Sequence, residues 1–323
     1  MPAWPIWLLS CFGIASAITA WARGYALRRN LLDQPGERRS HANATPRGGG
    51  ISIVVVLLLA SAWLAWRYPG QREWFGLFGM GLLLVAGIGW VDDHRPLSPW
   101  LRLLVHALAA GLLAAGFWLG GTGPWVAMAA FSLAIGLTNA WNFMDGIDGL
   151  AASQAGIIAV GAGIMLPSPW NWLAVAMVGA VAGFLPLNFP KARIFLGDVG
   201  SGALGYALAA LLVTGLGKGT PSVAWLLWML PVAAFVVDTA FTLIWRILNG
   251  ERWWTPHVQH AYQRWARRIG HVRVTTSFAV FTAGTIGIWL IDRGTQPPFV
   301  FWVFIICCTP AGGLWWSARR LRD

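Results

Sequence analysis

Four stretches of the chain combine residue types that handle phosphate and divalent ions. In the first, Gly89 to Pro99, Asp92 and Asp93 are adjacent carboxylates at the end of an apolar run. Like charges held side by side there need a cation or hydrogen-bond donors to stay ionised. A solvated loop with a helix cap would satisfy that need, and so would a site for Mg²⁺ or a base acting on a phosphate. In the second, Thr138 to Ser153, Asn139, Asn142, Asp145 and Asp148 recur every three residues. On a helix that spacing keeps all four near one face, while Gly146 and Gly149 let backbone approach a ligand.

The third stretch, Leu185 to Tyr206, carries Asn188, Lys191, Arg193, Phe195 and Asp198 ahead of the Gly200-Ser201-Gly202 turn. Backbone N–H groups in such a turn can face phosphate at the start of a helix, and Lys191 and Arg193 add charge for the same anion. With the other acidic clusters, this reads as a Mg²⁺–pyrophosphate site. In the fourth, His257, His260, Arg264, Arg267 and His271 follow Pro256 at helical spacing. That stripe suits a basic amphipathic helix on anionic lipid or a lid over a diphosphate. Zinc on His257 and His260 is disfavoured, because no third ligand is spaced nearby. Asp238 lies inside an apolar run, either as a functional carboxylate or as a hydrogen-bond partner of Thr239 or Thr242.

The elements that must position these residues are membrane spans. The chain has 323 residues, 57% hydrophobic and 11% charged, with a mean hydropathy of +0.60. A soluble domain carries about 25% charged residues, so a water-soluble globule is excluded. Apolar runs long enough to cross about 30 Å of hydrocarbon begin near Ile6, Gly48, Trp74, Trp100, Pro124, Gly149, Asn171, Ser201, Val223, Thr275 and Pro298. Eleven spans make one all-α polytopic domain over residues 1–323 and put the termini on opposite sides.

No Lys or Arg precedes the first run, whereas Arg23, Arg28 and Arg29 follow it. That polarity is wrong for a secretory signal, so the first helix is expected to be retained. Starting with the N-terminus outside, nineteen Lys and Arg fall on one side and four on the other. The positive-inside rule makes the rich side cytoplasmic, with the N-terminus periplasmic and the C-terminus cytoplasmic. The net charge of +11 is then mostly a topology signal and not a nucleic-acid footprint. All four clusters fall at the cytoplasmic boundary. The 23 Trp residues suit interfacial belts, and Cys11, Cys307 and Cys308 read as small apolar residues. A cation-coupled transporter would place carboxylates at the midplane of broken helices; only Asp238 qualifies, and no inverted repeat is visible.

Taken together, the strings SHANATPRGGG, VDDHRPLS, NAWNFMDGIDGLA, NFPKARIFLGDVGS, VVDTAFTLIWR and PHVQHAYQ resemble, in order and nearly end to end, the polyprenyl-phosphate N-acetylhexosamine-1-phosphate transferases (glycosyltransferase family 4). The resemblance implies a cytoplasmic cleft and transfer of a sugar-1-phosphate from a UDP-sugar to undecaprenyl or another polyprenyl phosphate, with Mg²⁺ or Mn²⁺ as cofactor. It matches Asp92 and Asp93 to paired active-site aspartates and Asp198 to the Mg²⁺-binding one. It places Asn142, Asp145, Asp148, Asn188 and Phe195 around the nucleotide, with Phe195 stacked on uracil, and His257 and His260 on the histidine loop. A homodimer in a bacterial inner membrane is implied as well. No Lys lies between His41 and Pro46, and His257 and His260 are not part of a histidine triplet. The chain thus looks like the O-antigen-initiating branch. Its HAYQ string is similar to enzymes using UDP-N-acetyl-6-deoxyhexosamines such as UDP-N-acetylfucosamine, with UDP-N-acetylglucosamine as the other candidate.

Overall fold

A computed structural model describes residues 3–34, 44–217, 222, 224–252, 254–255, 257–291 and 297–320. His41 and Pro256, which entered the motif readings, and Arg38, Arg39, Lys218, Arg293 and Arg322, which entered the Lys and Arg count, lie outside the described residues. Helices α1 (Trp4–Arg28), α2 (Ile51–Arg67), α3 (Arg72–His94), α4 (Pro99–Leu119), α5 (Pro124–Met144), α6 (Leu150–Met165) and α7 (Trp170–Phe184) come first; short turns join α2 to α7 in succession, whereas residues 29–50 separate α1 from α2. After them come α8 (Asp198–Gly215), α9 (Ala224–Met229), α10 (Ala233–Leu248), α11 (Ala261–Ile269), α12 (His271–Ile291) and α13 (Pro297–Arg320). The two-residue strands β1 (Leu32–Asp33) and β2 (Thr45–Pro46) pair antiparallel, Leu32 with Pro46.

Proline and glycine set these boundaries. Pro99 and Pro124 open α4 and α5, where the missing N–H removes a donor that would have no helical partner. Each of the eleven expected apolar segments is helical, and the ninth is broken by a tight turn at Leu230-Pro231-Val232 between α9 and α10. By length and composition, eight helical stretches among the described residues can cross a membrane; α2 and α6 are apolar but shorter.

The core gathers around α8, whose residues Val199–Val213 are all buried, with α3, α5 and α6 packed on it. Small residues make this possible, as they do between membrane helices generally. A Cβ on Gly89 of α3 would collide with the Asp198 carbonyl, so α3 crosses the start of α8 at backbone contact. Exposed tryptophans lie at both ends of the bundle, Trp100 and Trp254 beside the acidic clusters. Trp4, Trp66, Trp118 and Trp125 are exposed at the ends of α1, α2, α4 and α5 remote from the acidic clusters, as a belt requires. Trp141 and Trp289 are instead fully buried core residues.

Candidate active site

The C-terminal ends of α3 and α5 and the N-terminal ends of α4, α8 and α11 meet at one end of the bundle. They surround a cavity of about 780 Å³. Asn139, Asn142, Asp145, Asp198, His257 and His260 line it, bringing six of the sequence-predicted residues to one place.

Asp93 and Asp198 are joined through the α8 N-terminus. Asp93 is 3% exposed, and its two carboxylate oxygens accept the backbone N–H groups of Asp198 (3.1 Å) and Val199 (3.2 Å). Arg47 stands 3.9 Å from the same carboxylate and donates to the Asp93 carbonyl. Gly197, with φ +75°, turns the chain into α8; a Cβ there would lie 2.6 Å from Asp93 Oδ2. The expectation of a Gly-Ser-Gly turn offering N–H groups to phosphate is corrected here. Residues 200–202 are buried helix, and the first free N–H groups of α8 are taken by Asp93. Asp93 therefore lies behind the cavity wall and holds Asp198 upon it.

Asp92 points the other way. It accepts from the Leu97 N–H (2.6 Å) and from Arg102 Nη1 (2.8 Å), and the same Arg102 nitrogen donates to Asp198 Oδ2 at 2.9 Å. Arg102 and, one turn later, His106 both line the cavity. Neither was singled out in the sequence, where Arg102 counted only toward topology. The available signal was a cation and an imidazole four residues apart, just inside an apolar helix that starts beside Asp92 and Asp93.

Asp145 follows the last residue of α5 and makes no side-chain hydrogen bond or ion pair to any described residue. Burial, then the charges of Asp198 and Asp93, hold its carboxyl well above the usual carboxylate range. Asn142 donates to Ser201 Oγ (3.1 Å), fixing the end of α5 against α8. The polar series runs off the end of α5 after Asn142, as Gly146 and Gly149 suggest, because the helix ends at Met144. Asp148 turns instead toward α12, 3.3 Å from His271 Nδ1, with its carbonyl accepting from Thr275.

The remaining candidates stand off the cavity wall. Asn188 is buried and donates to the Ile194 carbonyl (3.0 Å), shaping the loop before α8. Phe195 is half-buried in that loop, its N–H donating to Pro46 at 2.7 Å. Lys191 is exposed. Arg264 donates to Ala318 of α13 at 3.3 Å. The stripe expected from Pro256 onward is also corrected: α11 begins only at Ala261, so His257 and His260 sit in the preceding loop.

Comparison with known proteins decides the family. The sequence profile of Glycosyl transferase family 4 matches residues 74–216, the span from α3 through α8 that carries Asp92, Asp145 and Asp198. A decaprenyl-phosphate N-acetylglucosaminephosphotransferase of Mycolicibacterium smegmatis is 31% identical over 83% of this chain and 77% of the relative. The chain belongs to this family. A probable undecaprenyl-phosphate N-acetylglucosaminyl 1-phosphate transferase of Bacillus subtilis is 30% identical over 76% of this chain and 73% of its own. An undecaprenyl-phosphate alpha-N-acetylglucosaminyl 1-phosphate transferase of Thermotoga maritima is 26% identical over 91% and 92%. Like other family members, the chain is an integral membrane protein. Its apolar helices supply the spans, and the cavity sits where several of them end.

Proposed function

We propose that this chain moves an N-acetylhexosamine-1-phosphate from a UDP-sugar onto undecaprenyl or another polyprenyl phosphate, releasing UMP. The reaction takes place at the cytoplasmic face of a bacterial inner membrane. The observation that carries the proposal is the wall of the cavity. Asp145 and Asp198 share it, and the charge of Asp198 raises the cost of ionising Asp145. Beside them, His106 Nδ1 and Gln263 Oε1 are buried without a partner in the described structure. Buried polar atoms are nearly always satisfied, so a polar ligand fits here. A polyprenyl phosphate keeps its tail in lipid and its headgroup at the interface, where this cavity lies.

The donor set also fits a divalent ion. Among the described residues no group of three His, Cys, Asp or Glu encloses a metal. Two carboxylates completed by substrate phosphates and water are, however, what Mg²⁺ takes. Asp198 and Asp145 would hold it, and when bound it would offset the diphosphate charge and stabilise the leaving UMP.

The protein's own contribution is placement and charge. A phosphomonoester has a second pKa near ~6, so the lipid phosphate is mostly a dianion at neutral pH and needs little help from a base. One of its oxygens attacks the β-phosphorus of the UDP-sugar in line. The bond from that phosphorus to the bridging oxygen breaks, and UMP leaves with the bridging oxygen. Arg102 is placed to neutralise phosphate oxygens, with Asp92 fixing its guanidinium. Asn142 and His257 on the cavity wall supply hydrogen-bond donors for the nucleotide diphosphate.

The HAYQ string favours a 6-deoxy-N-acetylhexosamine, whereas the relatives' names give N-acetylglucosamine. Either product would start O-antigen or another cell-surface polysaccharide. Purified protein in lipid nanodiscs should release UMP from UDP-N-acetylfucosamine or UDP-N-acetylglucosamine only when polyprenyl phosphate and Mg²⁺ are both present. Absence of lipid-dependent UMP from every UDP-N-acetylhexosamine would overturn the proposal.

A further inference from the structure

The buried carboxylate in α10 has an unexpected set of partners. Asp238 is 4% exposed, and a lone charge at such depth in an apolar helix is costly. Thr242 donates to it from one turn along (3.2 Å), but Thr239 bonds its own helix at Phe235. Its other donors come from the start of α11: the N–H of Ala261 (3.0 Å) and of Tyr262 (3.0 Å), and the ring of His260, whose Nδ1 lies 3.3 Å from Oδ1. Two turns along α10, buried Arg246 binds Glu251 (2.9 Å), the Arg252 carbonyl (2.9 Å) and Thr255. Asp238 and Arg246 therefore hold the two ends of the loop that carries His257 and His260.

Asp238 is acceptor-only when ionised and already takes two N–H groups and a hydroxyl. The imidazole nitrogen facing it must therefore carry its proton. With Nδ1 committed in this way, Nε2 is the ring atom left for a ligand in the cavity that His260 lines. Which ring nitrogen is presented is set by the hydrogen bond the other makes. His257 is held in the opposite sense: its Nδ1 accepts from the Gln259 N–H at 3.3 Å, which leaves the proton on Nε2.

We infer that Asp238 is a positioning residue for the transfer reaction: by accepting the His260 Nδ1–H and capping α11, it presents His260 Nε2 to the diphosphate of the nucleotide sugar. This rests on the transferase reading for its ligand, but not for its geometry. His260 touches the substrate, and Asp238 acts through it.

The test uses the full chain in nanodiscs and the variants Asp238→Ala, Asp238→Asn, His260→Ala and the Asp238/His260 pairs. Nitrogen-15 histidine spectra of the substrate-free protein, assigned by difference with His260→Ala, read which ring nitrogen is protonated. The wild type should carry the His260 proton on Nδ1, and Asp238→Ala should shift it toward Nε2. Turnover with UDP-N-acetylfucosamine or UDP-N-acetylglucosamine should fall about 10- to 100-fold in Asp238→Ala, the range for losing the partner that orients a ligating imidazole. The Asp238→Ala/His260→Ala pair should be no slower than His260→Ala, and Asp238→Asn should fall between wild type and Asp238→Ala. Should Asp238→Ala fail to fold, Asp238→Asn alone and with His260→Ala gives the same comparison. A wild-type proton on Nε2, an unchanged tautomer in Asp238→Ala, or effects that multiply would each overturn the inference. If the wild type turns over neither sugar, the transferase reading fails, and the spectra still decide the role of Asp238.

Discussion

Three helix starts border the cavity, and an aspartate from another helix caps two of them, α8 and α11. Asp93 of α3 takes the first N–H groups of α8; Asp238 of α10 takes those of α11. In both places the capped helix begins at or next to a residue on the cavity wall, Asp198 in one case and His260 in the other. The surroundings differ. The α8 start is locked by backbone contact with α3 and lies at the centre of the core, whereas α11 is nine residues long and amphipathic. One arrangement builds an acidic floor into the scaffold. The other holds a histidine loop against it with a few hydrogen bonds. Asp93 and Asp238 accept backbone N–H groups, whereas Asp145 and Asp198 accept none among the described residues, and on the proposed reading these last two are the carboxylates that meet the ligand.

The largest effect separating these classes is expected from Asp198→Asn. Lipid-dependent UMP release should drop by about 10³-fold, the scale of losing a charge-stabilising group at the reaction centre, while the melting temperature stays near wild type. Retained turnover would remove Asp198 from the site. Asp93→Ala should cost both turnover and stability. A lost cap removes roughly 0.5–2 kcal/mol, so thermal melting and turnover should fall together, unlike in Asp198→Asn. A normal melting curve for Asp93→Ala would break the comparison.

Asp145 gives a smaller effect with a definite sign. Its folded-state pKa is raised, so the folded protein binds its proton more tightly than the unfolded chain does. The linkage slope is then negative: the contribution is fully present below the ordinary carboxylate range and is lost as pH rises toward the raised value. In chelator, wild-type melting should drop with rising pH more steeply than that of Asp145→Asn, and Mg²⁺ should reduce the difference. Equal slopes would mean that Asp145 does not carry the strain. The smallest effect is expected from Lys191→Ala. Its exposed side chain predicts a change in UMP release of less than about twofold, in line with ordinary surface substitutions.

Much of the fold was readable because membrane spans are written in long apolar runs, and Gly and Pro mark their ends. The convergence of Asn139, Asn142, Asp145, Asp198, His257 and His260 was legible from their shared position at span boundaries. What could not be read was direction at those boundaries. Asp92 and Asp93 are adjacent, yet one faces Arg102 and the other caps α8, because successive helical residues point about 100° apart. The Gly-Ser-Gly stretch resembled a phosphate turn, but the N–H groups at the α8 start are claimed by a carboxylate 105 residues earlier in the chain. The Asp238–His260 contact spans 22 residues and a loop, with no periodicity to announce it. Arg102 went unnoticed because one cation near a helix start has the same local appearance whether it anchors topology or binds a ligand.

The central claim is that Asp145 and Asp198 hold a divalent ion against the diphosphate of a nucleotide. Mn²⁺ titrated into the purified chain with UDP, and followed by electron paramagnetic resonance with phosphorus-31 detection, tests it directly. Bound Mn²⁺ should show coupling to the UDP phosphorus nuclei, and the signal should disappear in Asp198→Asn and weaken in Asp145→Asn. Mn²⁺ that binds equally well in both variants, or binds without phosphorus coupling, would contradict the account.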